Sequence, residues 1–101
     1  MICTLTARRL KAGAYEGFRV AFEEAGTALP EIAARWTSVY VCRDVGDENV
    51  ALTFGLFDGT LEELRAIQTR YRDEAPASRV AQYVDEVLLD GAYEVLEEVT
   101  P

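Results

Sequence analysis

At 101 residues, half of them hydrophobic, the chain has material for one domain with a real core and too little for two. With 18 acidic against 10 basic side chains it carries a net charge of −8, which speaks against a nucleic-acid partner, because phosphate binding needs a basic surface. It has no histidine, so it lacks the usual general base, the usual partner of Ser and Cys nucleophiles, and the commonest ligand of zinc, iron and haem.

Apolar runs are only a few residues long, too short for a membrane span. The opening residues MICTLTARRL have no charged segment ahead of an apolar core and do not read as a secretory signal. The expected location is the cytoplasm. Two cysteines without a CxxC spacing, Cys3 and Cys42, read there as small core hydrophobes.

Residues 2–10 alternate, with Cys3, Leu5 and Ala7 on one side and Ile2, Thr4, Thr6 and Arg8 on the other. That period predicts a strand. Lys11, Ala12 and Gly13 turn the chain, and Gly13 suits a helix N-cap. Residues 14–28 follow helical spacing, with Phe18, Ala21, Phe22, Ala25 and Leu29 on one stripe and Glu16, Arg19, Glu23 and Glu24 opposite. Gly26 suits the helix end, and Pro30 bars its continuation. Residues 29–34 connect, with a helical turn expected at PEIAAR.

A hairpin follows, with strands over 36–44 and 50–58 and a turn rich in Gly, Asp and Asn. Placing Asp44 opposite Asn49 puts Thr37, Val39, Val41, Leu52, Phe54 and Leu56 on one face. It puts Trp36, Ser38, Tyr40, Cys42, Ala51, Thr53 and Phe57 on the other. After Asp58 and Gly59, the run Thr60-Leu61-Glu62-Glu63 spells a capping box. The second helix should run to about Arg72, burying Leu61, Leu64, Ile67 and Tyr71. Residues 73–78 read as a loop around Pro76, residues 79–83 as a helical turn, and residues 84–99 as the last strand region. Asp90 and Gly91 should either bulge or split that region. From Tyr83 onward there are acids and no base, read as a solvated strand face and an acidic terminus.

The order β-α-β-β-α-β predicts an α+β, ferredoxin-like fold over residues 1–101: a four-stranded antiparallel sheet with both helices on one face. Val39, Val41, Leu52, Phe54 and Leu56 should pack against Phe18, Phe22, Leu64 and Ile67. The other face, which water should cover, carries Trp36, Tyr40, Cys42 and Phe57. Such a face implies a second sheet packed on it, so the expected partner is a second copy of the chain, with those four residues at the dimer interface.

These features together resemble a known family. The run Arg9 to Gly13 (RLKAG), the aromatic pair Phe18 and Phe22, the hairpin, and Phe57 to Leu64 (FDGTLEEL) resemble the antibiotic biosynthesis monooxygenase-like domains of the dimeric α/β-barrel superfamily. The resemblance spans nearly the whole chain. It implies a homodimer whose two sheets form a shared barrel, and a cofactor-independent monooxygenase acting on aromatic or polyketide-like compounds. Tyr, Thr or Arg side chains would then position the substrate. Oxygenase-like members often carry an Asn on the first strand and a Trp on the second helix; here the first strand offers Cys3, Thr4 and Thr6, and the second helix offers Tyr71.

The candidate ligand-binding residues are Phe18, Phe22, Phe54, Tyr71 and Tyr83, lining a space between helices and sheet. No phosphate loop, metal-ligand spacing or nucleophile elbow is present in the sequence, and no cofactor or metal is expected. The alternative is a non-catalytic dimeric module with a structural or regulatory role. A pocket of a few hundred cubic ångströms would favour a ligand binder, and a solid helix–sheet core would favour the module.

Overall fold

A computed structural model describes residues 1–74 and 77–101 of the chain. The elements are β1 (Ile2–Leu10), α1 (Tyr15–Thr27), α2 (Pro30–Ala33), β2 (Trp36–Arg43), β3 (Val50–Phe57), α3 (Leu61–Glu74), α4 (Ala77–Ala81) and β4 (Val84–Glu94). The strands form one antiparallel sheet in the order β2-β3-β1-β4. With the helices on one face, this is the ferredoxin-like arrangement. No helix among the described residues is long and apolar enough to cross a membrane.

Local chemistry sets the element ends. Gly13 adopts φ 69°, a left-handed conformation open to glycine, and turns β1 into α1. At α3 the capping box forms in both directions: the Glu63 amide donates to Thr60 Oγ1 at 3.1 Å, and the Thr60 amide donates to Glu63 Oε1 at 3.0 Å. Arg35 ties that cap to the sheet. Its Nη2 donates to Glu63 Oε2 at 2.7 Å and to the Asp58 carbonyl at 2.9 Å. The loop expected over residues 73–78 is narrower, because α3 continues to Glu74 and α4 starts at Ala77; its centre, Ala75 and Pro76, lies outside the described residues. Gly26 lies within α1 and does not end it.

The hairpin register differs from the expected one by a single residue. Arg43 pairs with Ala51 and Tyr40 with Phe54, in place of Asp44 opposite Asn49. The aspartates of the turn account for the difference. Asp44 Oδ2 accepts the Gly46 amide at 2.8 Å, and Asp47 Oδ1 accepts the Asn49 amide at 3.0 Å, so two Asx turns occupy the loop. A one-residue slip exchanges the two faces of a strand. On β3, therefore, Ala51, Thr53, Gly55 and Phe57 face the helices and are buried, while Leu52, Phe54 and Leu56 face away.

Two residues expected at the open face thus lie on the helix side. Phe57 is 0 % exposed, clustered with Ile2 and Leu64. Trp36 packs against that cluster, its ring 4.8 Å from that of Phe57. A bulge between Trp36 and Ser38 inserts Thr37 and turns Trp36 inward, while Val39 and Val41 keep their expected side. Tyr40 and Cys42 remain on the open face, paired with Phe54 and Leu52. There Tyr40 stacks on Phe54 at 4.9 Å. Leu5, Leu56, Leu89 and Tyr93 complete an apolar surface over the four strands, with Tyr40 53 % exposed and Leu89 and Tyr93 47 % exposed.

Gly91 neither bulges nor splits β4; it pairs regularly with Leu5. The ring of Tyr93 lies over it, where a Cβ would stand 2.6 Å from the Tyr93 hydroxyl. The irregularities fall earlier, opposite the steps Ala7/Arg8 and Arg9/Leu10.

Candidate ligand-binding cavity

The helix-facing side of the sheet is filled at its ends and hollow in its middle. At one end Ile2, Phe57 and Leu64 form a buried cluster with Trp36, Ile67 and Ala92. At the other, Leu10, Phe18 and Ala51 do so with Tyr15, Phe22, Val41 and Tyr83. Between them the rungs of β1 and β3 pair Thr4 with Gly55 and Thr6 with Thr53. These side chains are too short to reach the helices. The result is a partly open cavity of about 950 Å³ between the sheet and helices α1 and α3. Ligand pockets commonly span roughly 300–1,000 Å³.

Its floor is Thr4, Thr6 and Arg8 of β1, Thr53 and Gly55 of β3, and Val39 and Val41 of β2. Trp36 forms a wall, held by its Nε1 donating to Thr4 Oγ1 at 3.2 Å. The roof comes from Phe22, Ala25 and Gly26 of α1 and from Gln68 and Tyr71 of α3. Tyr71 joins the two helices, its hydroxyl donating to the Gly26 carbonyl at 3.3 Å. Burial, helped by the Glu31 charge, raises the pKa of the Tyr71 phenol, so it stays a donor.

The polar groups of the floor are mostly satisfied within it. Thr6 Oγ1 donates to Asp90 Oδ1 at 3.1 Å, across to β4. Arg8 Nη1 donates to Thr53 Oγ1 at 2.8 Å. The Arg8 guanidinium lies over the Phe18 ring at 5.4 Å and near that of Phe22 at 5.9 Å. Desolvation lowers the pKa of Arg8, opposed by the charge of Asp90. An arginine remains protonated all the same.

Of the five residues expected to bind a ligand, Phe22 and Tyr71 line the cavity. Phe54 borders it through its place between Thr53 and Gly55, but its ring stacks on Tyr40 across the sheet. Phe18 sits behind Arg8 in the core, and Tyr83 packs against Gly17, its ring 2.6 Å from where a Cβ of residue 17 would stand. Trp36 and Thr53 were expected on the far side of the hairpin, and Gly55, Thr4, Thr6 and Arg8 were not among the expected ligand-binding residues. The alternation of β1 did place Thr4, Thr6 and Arg8 on one face with Ile2. The polar row between two apolar ends was the available signal.

No protein-family model matches the chain, and no curated protein matches it in sequence. Solved structures do match in fold. SnoaB, a cofactor-independent oxygenase from Streptomyces nogalater crystallised as a point variant, superposes with a TM-score of 0.75 at 9 % identity, covering 99 % of this chain and 97 % of that one. A proposed antibiotic biosynthesis monooxygenase from Caulobacter crescentus CB15 gives a TM-score of 0.75 at 12 % identity, covering 95 % and 90 %. A NIPSNAP domain protein from Burkholderia xenovorans gives 0.64 at 18 % identity, covering 100 % and 99 %. Solved structures named for the family that the sequence resembles thus share this chain's fold, as does a NIPSNAP domain; at these identities the likeness speaks for the fold alone.

Proposed function

We propose that this chain is a small-molecule-binding protein that takes an aromatic or polyketide-like compound into the cavity beneath α1 and α3. The observation that carries the reading is the cavity itself: about 950 Å³, walled by Trp36, Phe22 and Tyr71 over a floor of threonines. Flat aromatic walls suit a flat aromatic ligand, and a few hydroxyls can fix its orientation.

The reaction we propose is a cofactor-independent oxygenation, supported by the fold shared with SnoaB. In such chemistry an ionised, electron-rich substrate reduces dioxygen directly. An activated ring CH2 and dioxygen then give a carbonyl and water, with no added reductant. The protein would bind, orient and stabilise the ionised substrate, with Thr4, Thr6, Arg8 and Tyr71 within the cavity as its hydrogen-bonding groups. The active unit is a homodimer in this reading, with the apolar open face of each sheet covering that of its partner in a shared barrel.

The test is dioxygen uptake with anthrones and hydroxynaphthalenes in metal-free buffer, with products identified by mass spectrometry. Uptake above the protein-free rate, with a product heavier by one oxygen and lighter by two hydrogens, is expected. Binding without turnover would leave a small-molecule binder that is not an oxygenase; neither binding nor turnover would support a second reading, a non-catalytic dimeric module, which draws on Cys3, Thr4, Thr6 and Tyr71 standing where the resembled oxygenases often carry Asn and Trp.

A further inference from the structure

The charges around the cavity are unequally matched. Arg19 and Glu23 both line it and neutralise each other at 2.9 Å, with Glu16 adding a second carboxylate to Arg19 at 3.1 Å. Arg8 lines it too, and no carboxylate among the described residues bonds or ion-pairs with its guanidinium. Asp90 acts on it only through space, its carboxylate engaged by Thr6. A guanidinium has five N–H donors in a rigid plane, and a side chain uses one of them here, toward Thr53. Its neighbours Phe18 and Phe22 accept no ordinary hydrogen bond. A half-buried arginine charge without an ionic partner is costly, and a planar oxyanion that takes two of its N–H groups relieves that cost. The overall charge of −8 does not forbid an anion there, since exposed charges are screened beyond roughly 10 Å at 0.1 M salt.

We infer that Arg8 is the anion anchor of the cavity, and that the ligand is an aromatic acid whose carboxylate sits on the Arg8 guanidinium while its rings lie among Phe22, Trp36 and Tyr71. The inference rests on the reading that the cavity is the ligand site, and it narrows the ligand to anionic aromatics.

The probe pair is 2-naphthoate and 2-naphthamide, equal in shape and different in charge. Calorimetric titration of the full chain at neutral pH measures affinity, and quenching of Trp36, the single tryptophan, reports occupancy of the cavity. The acid should bind at least about tenfold more tightly than the amide, as a bidentate charged pair requires. Arg8→Met should bring the acid's affinity down to that of the amide measured on the same variant, and Arg8→Lys should restore only part of the difference. Equal affinity of acid and amide for the wild-type chain, with Trp36 quenched by both, would overturn the anchor and leave the cavity reading standing. No binding of either would overturn both. A preference for the acid that survives in Arg8→Met would place the anion elsewhere and also end the proposal.

Discussion

Gly55 admits the close approach of β2 and of the Trp36 ring beside the cavity: a Cβ there would stand 2.8 Å from the Ser38 carbonyl oxygen and 2.8 Å from Trp36 Cδ1. The backbone oxygen cannot yield cheaply, so Gly55→Ala should destabilise the fold by about 1–3 kcal/mol in urea denaturation and shift Trp36 emission. Gly26 is the control. Nothing lies within 4 Å of a Cβ there, and the residue is helical, so Gly26→Ala should stabilise by up to about 1 kcal/mol. The cap of α3 is testable in the same way, with Thr60→Ala expected to cost about 1 kcal/mol. Glu63 adds a pH dependence. Its hydrogen bond from Arg35, with the Thr60 cap, lowers its pKa in the folded chain. A depressed carboxylate contributes stability above its unfolded value, and that contribution is lost as pH falls through the folded value. Thermal melts should therefore show Glu63→Gln losing less stability on acidification than the parent.

Among the elements, the hairpin separates what the sequence disclosed from what it did not. Strand and helix periods, the capping box and the order of elements were all legible, because each is set by residues close in the chain. The faces of β3 were not, because they depend on how many residues two Asx turns consume. The inward turn of Trp36 depends on a bulge that no local pattern announces. Phe57 and Trp36 thereby moved from an expected interface to the core. The open face kept its apolar character, since the same slip brought Leu52, Phe54 and Leu56 onto it beside Tyr40 and Cys42. That face is where the dimer is to be tested. Tyr40→Asp places a charge on that face against Phe54, and light scattering coupled to size exclusion should report a dimer for the parent and a monomer for the variant. A monomeric parent at micromolar concentration would count against the shared barrel.

In the molecule as a whole, the two sides of one sheet differ in character. The open side is continuous and apolar and suits a second copy of itself. The helix side is divided, closed by Phe57 and Leu64 at one end and by Phe18 and Leu10 at the other, with threonines, glycine and one arginine between. Part of the site was readable from β1, whose Thr4, Thr6 and Arg8 share a face with two core residues; the rest waited on the register of β2 and β3. The cavity's role as a ligand site is tested most directly by a crystal structure of the chain grown with a hydroxynaphthalene. Ligand density is expected between Phe22, Trp36 and Tyr71, above Thr4 and Thr6. A cavity closed by its own side chains, with the ligand absent or bound elsewhere, would contradict that role.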